Sequence, residues 1–253
     1  MIVPMAQAHL QQAIDRVSID VPQAFGDRLV CLALYGSAAN EAFIPGRSNV
    51  NFAVVLERVT VEDLKRMQRL LPAWHRLGVV TPLLIDLDFL EHARDVFPIE
   101  LEDIRSSHRV LAGSDVFAQL RIDTTDLRRQ LEQEGRSKLL RLRVQYAETA
   151  GRSRDVEALI LDSVASFLVI ARSVLRLDAS SAPTEPLLLL DRLETFAGES
   201  FAGLRQAAKA KTGESFASGP DAAFGDYLAD VERLVRVIDR LPAKPSAQGS
   251  ASK

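Results

Sequence analysis

The chain has little from which to build thiolate or imidazole chemistry. Cys31 is its only cysteine, so neither an intramolecular disulfide nor a cysteine metal cluster can form. It sits in the apolar run Leu29-Val30-Cys31-Leu32-Ala33-Leu34 and reads as a small core hydrophobe. His9, His75, His92 and His108 are scattered, with no pair at metal-ligand spacing. Long apolar runs are also missing. A membrane helix needs roughly 20 uninterrupted apolar residues, and the richest stretch here, Val156 to Leu177, is broken by Asp162 and Arg172. The start, Met1-Ile2-Val3-Pro4-Met5, lacks the basic residues and apolar stretch of a signal peptide. The expected compartment is therefore the cytoplasm, and no membrane contact is expected. Neither sign of charge dominates: the formal net charge is −3, which creates no overall field toward nucleic acid, so nucleic acid is not expected as a partner. There is no Walker-type loop, dinucleotide fingerprint or nucleophile elbow.

What is present is an ordinary globular composition, 47% hydrophobic and 26% charged, in two textures. Up to about Asp115, short apolar runs alternate with helical patterns, the rhythm of an α/β or α+β domain. Ala6 to Val17 reads as an amphipathic helix, and Arg28 to Tyr35 as a strand buried on both faces. In a second strand, Asn49 to Leu56, the residues Val50, Phe52, Val54 and Leu56 share one face, while Asn49 and Asn51 share the other. Thr60 is placed as the N-cap of a helix, with Asp63 three positions on and Leu64, Met67, Leu71 and Trp74 along one side, stopping near Gly78. Pro82 to Leu87 reads as a third strand, Asp88 to Phe97 as a short helix, Pro98 to Ile104 as a fourth strand and Arg109 to Leu111 as a last short one.

Beyond Thr124 the strand signals disappear. Leu127, Leu131, Leu139, Leu142, Tyr146 and Ala150 line one face at helical spacing. Val156 to Leu177 is apolar nearly all round and is expected to be the most buried helix of a bundle. Pro183 to Pro186 marks a break, and further helices are expected over Leu187–Phe196, Ser200–Lys211 and Ala222–Leu241. Arg136, Lys138, Arg141 and Arg143 form the densest basic patch; Glu132 and Glu134 interleave it, as on a solvated helix face. The Ala-, Ser-, Pro- and Lys-rich end from Pro242 is expected to be disordered.

Two segments carry chemistry together: Leu34-Tyr35-Gly36-Ser37-Ala38-Ala39, and Gly46-Arg47-Ser48-Asn49-Val50-Asn51-Phe52-Ala53-Val54-Val55-Leu56. A glycine after a strand lets the backbone turn sharply and lets a phosphate approach closely. A serine hydroxyl and the free N–H groups of a following helix would then bind an anion. Residues at i and i+2 on the neighbouring strand project to one side, where two carboxylates could hold divalent cations for phosphoryl transfer.

This ordered set resembles the signature of the polymerase-β-like nucleotidyltransferase superfamily, in which a strand ends in Gly-Ser and a later strand opens with Ser-Asp-x-Asp. The resemblance covers residues 25 to 118. It implies an α/β nucleotidyltransferase domain (1–118, a mixed sheet with flanking helices), then an all-α helical bundle (119–241) and a tail (242–253). It also implies a phosphate site at Gly36, Ser37, Arg47 and Ser48, a nucleoside triphosphate as partner, and a third acid from a further strand. Glu100 is the choice for that acid, with Glu102 on the same strand face as its substitute; both could equally be the solvated face of an edge strand.

At the two metal-ligand positions, however, stand Asn49 and Asn51. Magnesium wants anionic oxygens and an amide offers a neutral one, so the usual two-metal catalysis is not expected. Three readings follow. The protein binds a nucleotide or partner through an old cleft with impaired catalysis. Alternatively, it transfers a nucleotidyl group to a small-molecule or protein hydroxyl, using Mg2+. The third is a structural or interaction module, with a protein partner or a second copy of itself.

Overall fold

A computed structural model describes residues 3–40, 43, 48–178, 182–216 and 218–241. Contacts divide the chain into two compact units, Met1–Ile122 and Asp123–Lys253.

The first unit runs α1 (Val3–Phe25), a 3-10 turn (Gly26–Arg28), β1 (Leu29–Tyr35), a second 3-10 turn (Gly36–Ala39), β2 (Asn51–Leu56), α2 (Val61–His75), β3 (Leu83–Asp86), α3 (Leu87–His92), α4 (Pro98–Ser106) and β4 (His108–Gly113). The sheet order is β3-β2-β1-β4. β1 is antiparallel to β2 and β4, and β2 is parallel to β3, so the sheet is mixed. Both faces are covered, which is why the strands read as nearly continuous apolar runs. Leu32, Leu34, Phe52, Val54 and Leu56 pack with Val17 and Val21 of α1 and with Met67 and Trp74 of α2. Cys31, Ala33, Ala53, Val55 and Ile85 face the other way, against Leu90 of α3, Leu101 and Ile104 of α4, and Phe117.

Local sequence fixes where α2 begins. Thr60 accepts from the Asp63 N–H while the Asp63 carboxylate accepts from the Thr60 N–H, a complete capping box. Asp63 is fully buried and also accepts two hydrogen bonds from Arg28, at 2.5 and 2.9 Å. The Arg28 guanidinium thereby holds the carboxyl well below the usual carboxylate range and ties the entrance of β1 to that of α2.

Several expectations need correction. Residues 98–104 are helix, not strand. Pro98 occupies the first position of α4, where its fixed φ suits a helix and its missing N–H costs nothing. Pro98, Leu101 and Ile104 then fall at helical spacing and are buried. α1 extends well beyond Val17. Leu64 is exposed rather than part of the buried side of α2. β2 begins at Asn51, with Val50 in an isolated parallel bridge to Val79. The residues from Pro242 onward lie outside those described.

The second unit holds α5 (Thr124–Glu148), α6 (Ser153–Leu177), α7 (Pro186–Ala197), α8 (Ala202–Lys211) and α9 (Pro220–Arg240). α6 touches all four others. By length and composition it could cross a membrane, but here Val156, Ile160, Val164, Phe167, Val174 and Leu175 form the middle of a bundle. On α5, Leu127, Leu131 and Leu142 are buried as the periodicity expects. Tyr146 stacks on Phe224 of α9 with centroids 3.9 Å apart. Ala150, by contrast, lies past the helix end with φ +51. Two of the basic residues on α5 face α9: Arg136 pairs with Asp239 at 2.7 Å and Arg143 with Glu232 at 2.8 Å. Where α8 meets α9 only glycine fits, since a Cβ on Gly203 would lie 2.4 Å from the Asp226 carbonyl carbon.

Candidate functional site

Antiparallel pairing brings the two chemical segments together. Tyr35, the last residue of β1, stands opposite Asn51 on β2 and opposite His108 on β4. Directly opposed residues share a face, so Asn51, Tyr35 and His108 form a row across the end of the sheet. Gly36 follows with φ +73, a backbone few other residues adopt. A Cβ there would lie 3.2 Å from the Asn51 amide nitrogen. The glycine thus keeps the turn against Asn51.

The turn is anchored from the far side. Gly36 N–H donates to the Ser107 carbonyl at 3.2 Å, and the Asn40 amide donates to Ser107 Oγ at 2.8 Å and to the Gly36 carbonyl at 3.2 Å. Ser37 sits inside the four-residue 3-10 turn Gly36–Ala39. Among the described residues, the helix expected after Gly-Ser is this turn alone, too short to present a helix dipole.

Asn51 is half-buried, Asn49 is exposed and Ser48 is half-buried. Gly36, Ser37, Ser48, Asn49 and Asn51 thus lie about one end of the sheet, while Arg47 lies outside the described residues. Glu100 and Glu102 do not share a face, because two residues apart on a helix is about 200° of rotation. Glu100 is exposed in the first turn of α4. Glu102 is buried and accepts two hydrogen bonds from Arg105, each 2.8 Å. Its oxygens are committed to that pair, so the substitute acid serves the scaffold.

Nor does the neighbouring strand bring an acid to Asn51. The chain entering β3 reads Val79-Val80-Thr81-Pro82. The carboxylate of β3 itself is Asp86, which pairs with Leu56 at the far end of β2 and accepts from Phe89 and Val59 N–H groups. Among the described residues no group of three or more His, Cys, Asp or Glu could hold a metal ion. Negative charge does approach from α4: burial, then Asp103 and Glu100, pushes the Tyr35 phenol up.

Solved structures place this architecture. A spectinomycin adenyltransferase from Enterococcus faecialis, solved with ATP and spectinomycin, matches 91% of this chain and 99% of its own at a TM-score of 0.56 and 12% identity. The fold is nucleotidyltransferase-like. No protein-family model matches the chain, and no curated protein matches it in sequence.

Sequence reasoning missed Asn40, Ser107 and the row made by Tyr35 and His108. The usable signal was Ser107-His108 immediately before Arg109-Val110-Leu111, which places those residues at the start of a strand able to pair with β1.

Proposed function

We propose that this is a nucleotidyltransferase-like protein with impaired catalysis that binds a nucleotide, through its phosphates, at the Gly36–Ser37 turn. The observation that carries the reading is that neutral amides stand at both positions, Asn51 at the start of β2 against that turn and Asn49 two residues before it in the chain. No carboxylate lies next to them on the strand entering β3. With both amides neutral, two negative charges that would repel a triphosphate are absent, and so are the anionic ligands that would hold magnesium. Gly36 offers close backbone approach, and Ser37, Ser48 and the Asn51 amide offer donors; Arg47 adds a positive charge nearby in sequence. The structural neighbour bound ATP on the same fold, which makes a nucleotide the natural ligand to try.

A second reading rests on Glu100. Its charge reaches the neighbourhood of Tyr35, so a nucleotide carrying its own Mg2+ could meet one carboxylate there and be transferred to a hydroxyl. The two readings separate with labelled nucleotide and magnesium. The first expects binding without transfer in the wild type, and magnesium binding only after Asn49→Asp with Asn51→Asp. Transfer by the wild type, abolished in Glu100→Ala, would establish the second reading instead.

A further inference from the structure

We infer, on the basis of the nucleotide reading above, that Asn40 and Ser107 are positioning residues for the phosphate site. Through them the corner between α4 and β4 sets the shape in which the Gly36–Ser37 turn meets a phosphate chain. A four-residue 3-10 turn has little to hold it by itself. Its last backbone bond, from Asn40 N–H to the Ser37 carbonyl, is 3.4 Å, longer than the roughly 3.2 Å limit of common N–H···O bonds. Side chains supply the rest. Asn40 leaves the turn with an extended backbone, φ −137 and ψ −176, while its side chain folds back. A side-chain amide has two N–H hydrogens, and both are spent here, at 2.8 Å on Ser107 Oγ and 3.2 Å on the Gly36 carbonyl. Gly36 N–H in turn donates to the Ser107 carbonyl at 3.2 Å. Gly36 is thereby held at both its backbone polar groups, one by Ser107 directly and one through Asn40.

Ser107 is a firm anchor for this latch. It is the C-cap residue of α4 and directly precedes β4. Leu101 and Ile104, both buried, seat α4 against the sheet, and the next residue, His108, stands opposite Tyr35 on β1. Asn40 and Ser107 lie 67 positions apart, so the latch passes the position of the folded sheet to the turn, which no local preference does.

The consequence for a ligand is specific. With the Gly36 N–H already given to Ser107, a phosphate meets the donors beside it: Ser37, and Asn51, whose amide nitrogen would lie 3.2 Å from a Cβ on Gly36. Where those donors stand follows from where the turn is held. A released turn would have to be ordered by the ligand at an entropic cost. The latch therefore raises affinity without touching the nucleotide.

Calorimetric titrations of ATP and of inorganic tripolyphosphate, without magnesium and far below the melting temperature so that only folded protein is read, test the latch. Ser107→Ala removes the acceptor and should weaken both ligands by about fivefold, the effect of one net hydrogen bond. Ser107→Thr keeps the hydroxyl and should restore wild-type binding. Asn40→Ala should weaken both ligands by about tenfold or more, and adding Ser107→Ala to it should change little, because the shared bond is already gone. Melting followed by Trp74 fluorescence should move little in Ser107→Ala; a residue serving only the scaffold would lower the melt and leave the affinity of the folded protein alone. Wild-type affinity in Ser107→Ala, an equal loss in Ser107→Thr, or a loss for ATP but not for tripolyphosphate overturns the proposal. Absence of binding by the wild type is a different result, which removes the nucleotide reading and the latch with it.

Discussion

The two units place polar groups to different ends. In the first, polar side chains collect where the sheet runs out: Gly36 and Ser37, Asn40 bonded to Ser107, and the row Asn51, Tyr35 and His108. In the second they are spread along helix seams, with Arg136 and Arg143 of α5 reaching α9 and Asp230 of α9 accepting from Leu204 N–H at the start of α8. A sheet end concentrates backbone turns and side chains around one point, so it can become a site. A bundle seam distributes its polar contacts and becomes a fastener. The motif that pointed to function lies wholly in the first unit, and the second offers packing with no motif.

The largest effect comes from opening the core of either unit. Phe52→Ala should cost about 3–5 kcal/mol, because Phe52 is fully buried between the sheet and α1–α2. Gly203→Ala should cost about 1–3 kcal/mol by forcing a methyl into the α9 backbone. Trp74, the only tryptophan, is fully buried and donates to Asp20 at 2.9 Å, so its fluorescence reports on the first unit. Phe52→Ala should shift that signal, whereas Gly203→Ala should weaken the helical circular dichroism and leave the tryptophan signal in place. If Gly203→Ala moves the tryptophan signal as far as Phe52→Ala does, the division of labour is wrong.

Acid should separate the units next. Asp63 is held below the ordinary carboxylate range, first by its hydrogen bonds from Arg28. Its contribution is complete above the unfolded carboxylate value of about 3.9 and is lost as pH falls through the folded value. Asp230 is pushed the other way, above the ordinary range, because burial outweighs its hydrogen bonds. There the folded state binds the extra proton, so the contribution of Asp230 to the helical unit grows as pH falls from neutral toward the ordinary carboxylate range. In acid melts the tryptophan signal should therefore fail first, with part of the far-ultraviolet dichroism persisting beyond it. Replacing Asp63 by Asn should flatten the acid dependence of the tryptophan signal.

The smallest effect sharpens the picture of the seam. Arg143→Ala removes an exposed pair with Glu232 and should cost less than about 1 kcal/mol, vanishing at high salt. A larger loss would mean that the basic face of α5 has a role beyond fastening.

What the sequence could say followed the range of the forces involved. β1, β2 and the α2 capping box were legible because burial on both faces and a Thr60–Asp63 pair are decided within a few residues. Residues 98–104 were misread because a short apolar-acid-apolar alternation fits either period. The Pro98 start and the Glu102–Arg105 pair favour helix, and packing of Leu101 and Ile104 under the sheet decides it. The Asn40–Ser107 bond joins distant parts of the chain, so no local pattern announces it. Asn49 and Asn51 were legible as residue types, and the place of Asn51 beside Gly36 came only with the pairing of Tyr35.

The central claim is that the Gly36–Ser37 cleft now binds a nucleotide without metal-ion chemistry. It is tested most directly by calorimetric titration of ATP and GTP into the wild-type protein and the Asn49→Asp, Asn51→Asp variant, each with and without magnesium. The account predicts wild-type binding unaffected by magnesium, and magnesium-dependent binding in the variant. No heat for either nucleotide in the wild type, or wild-type binding that requires magnesium, would contradict it.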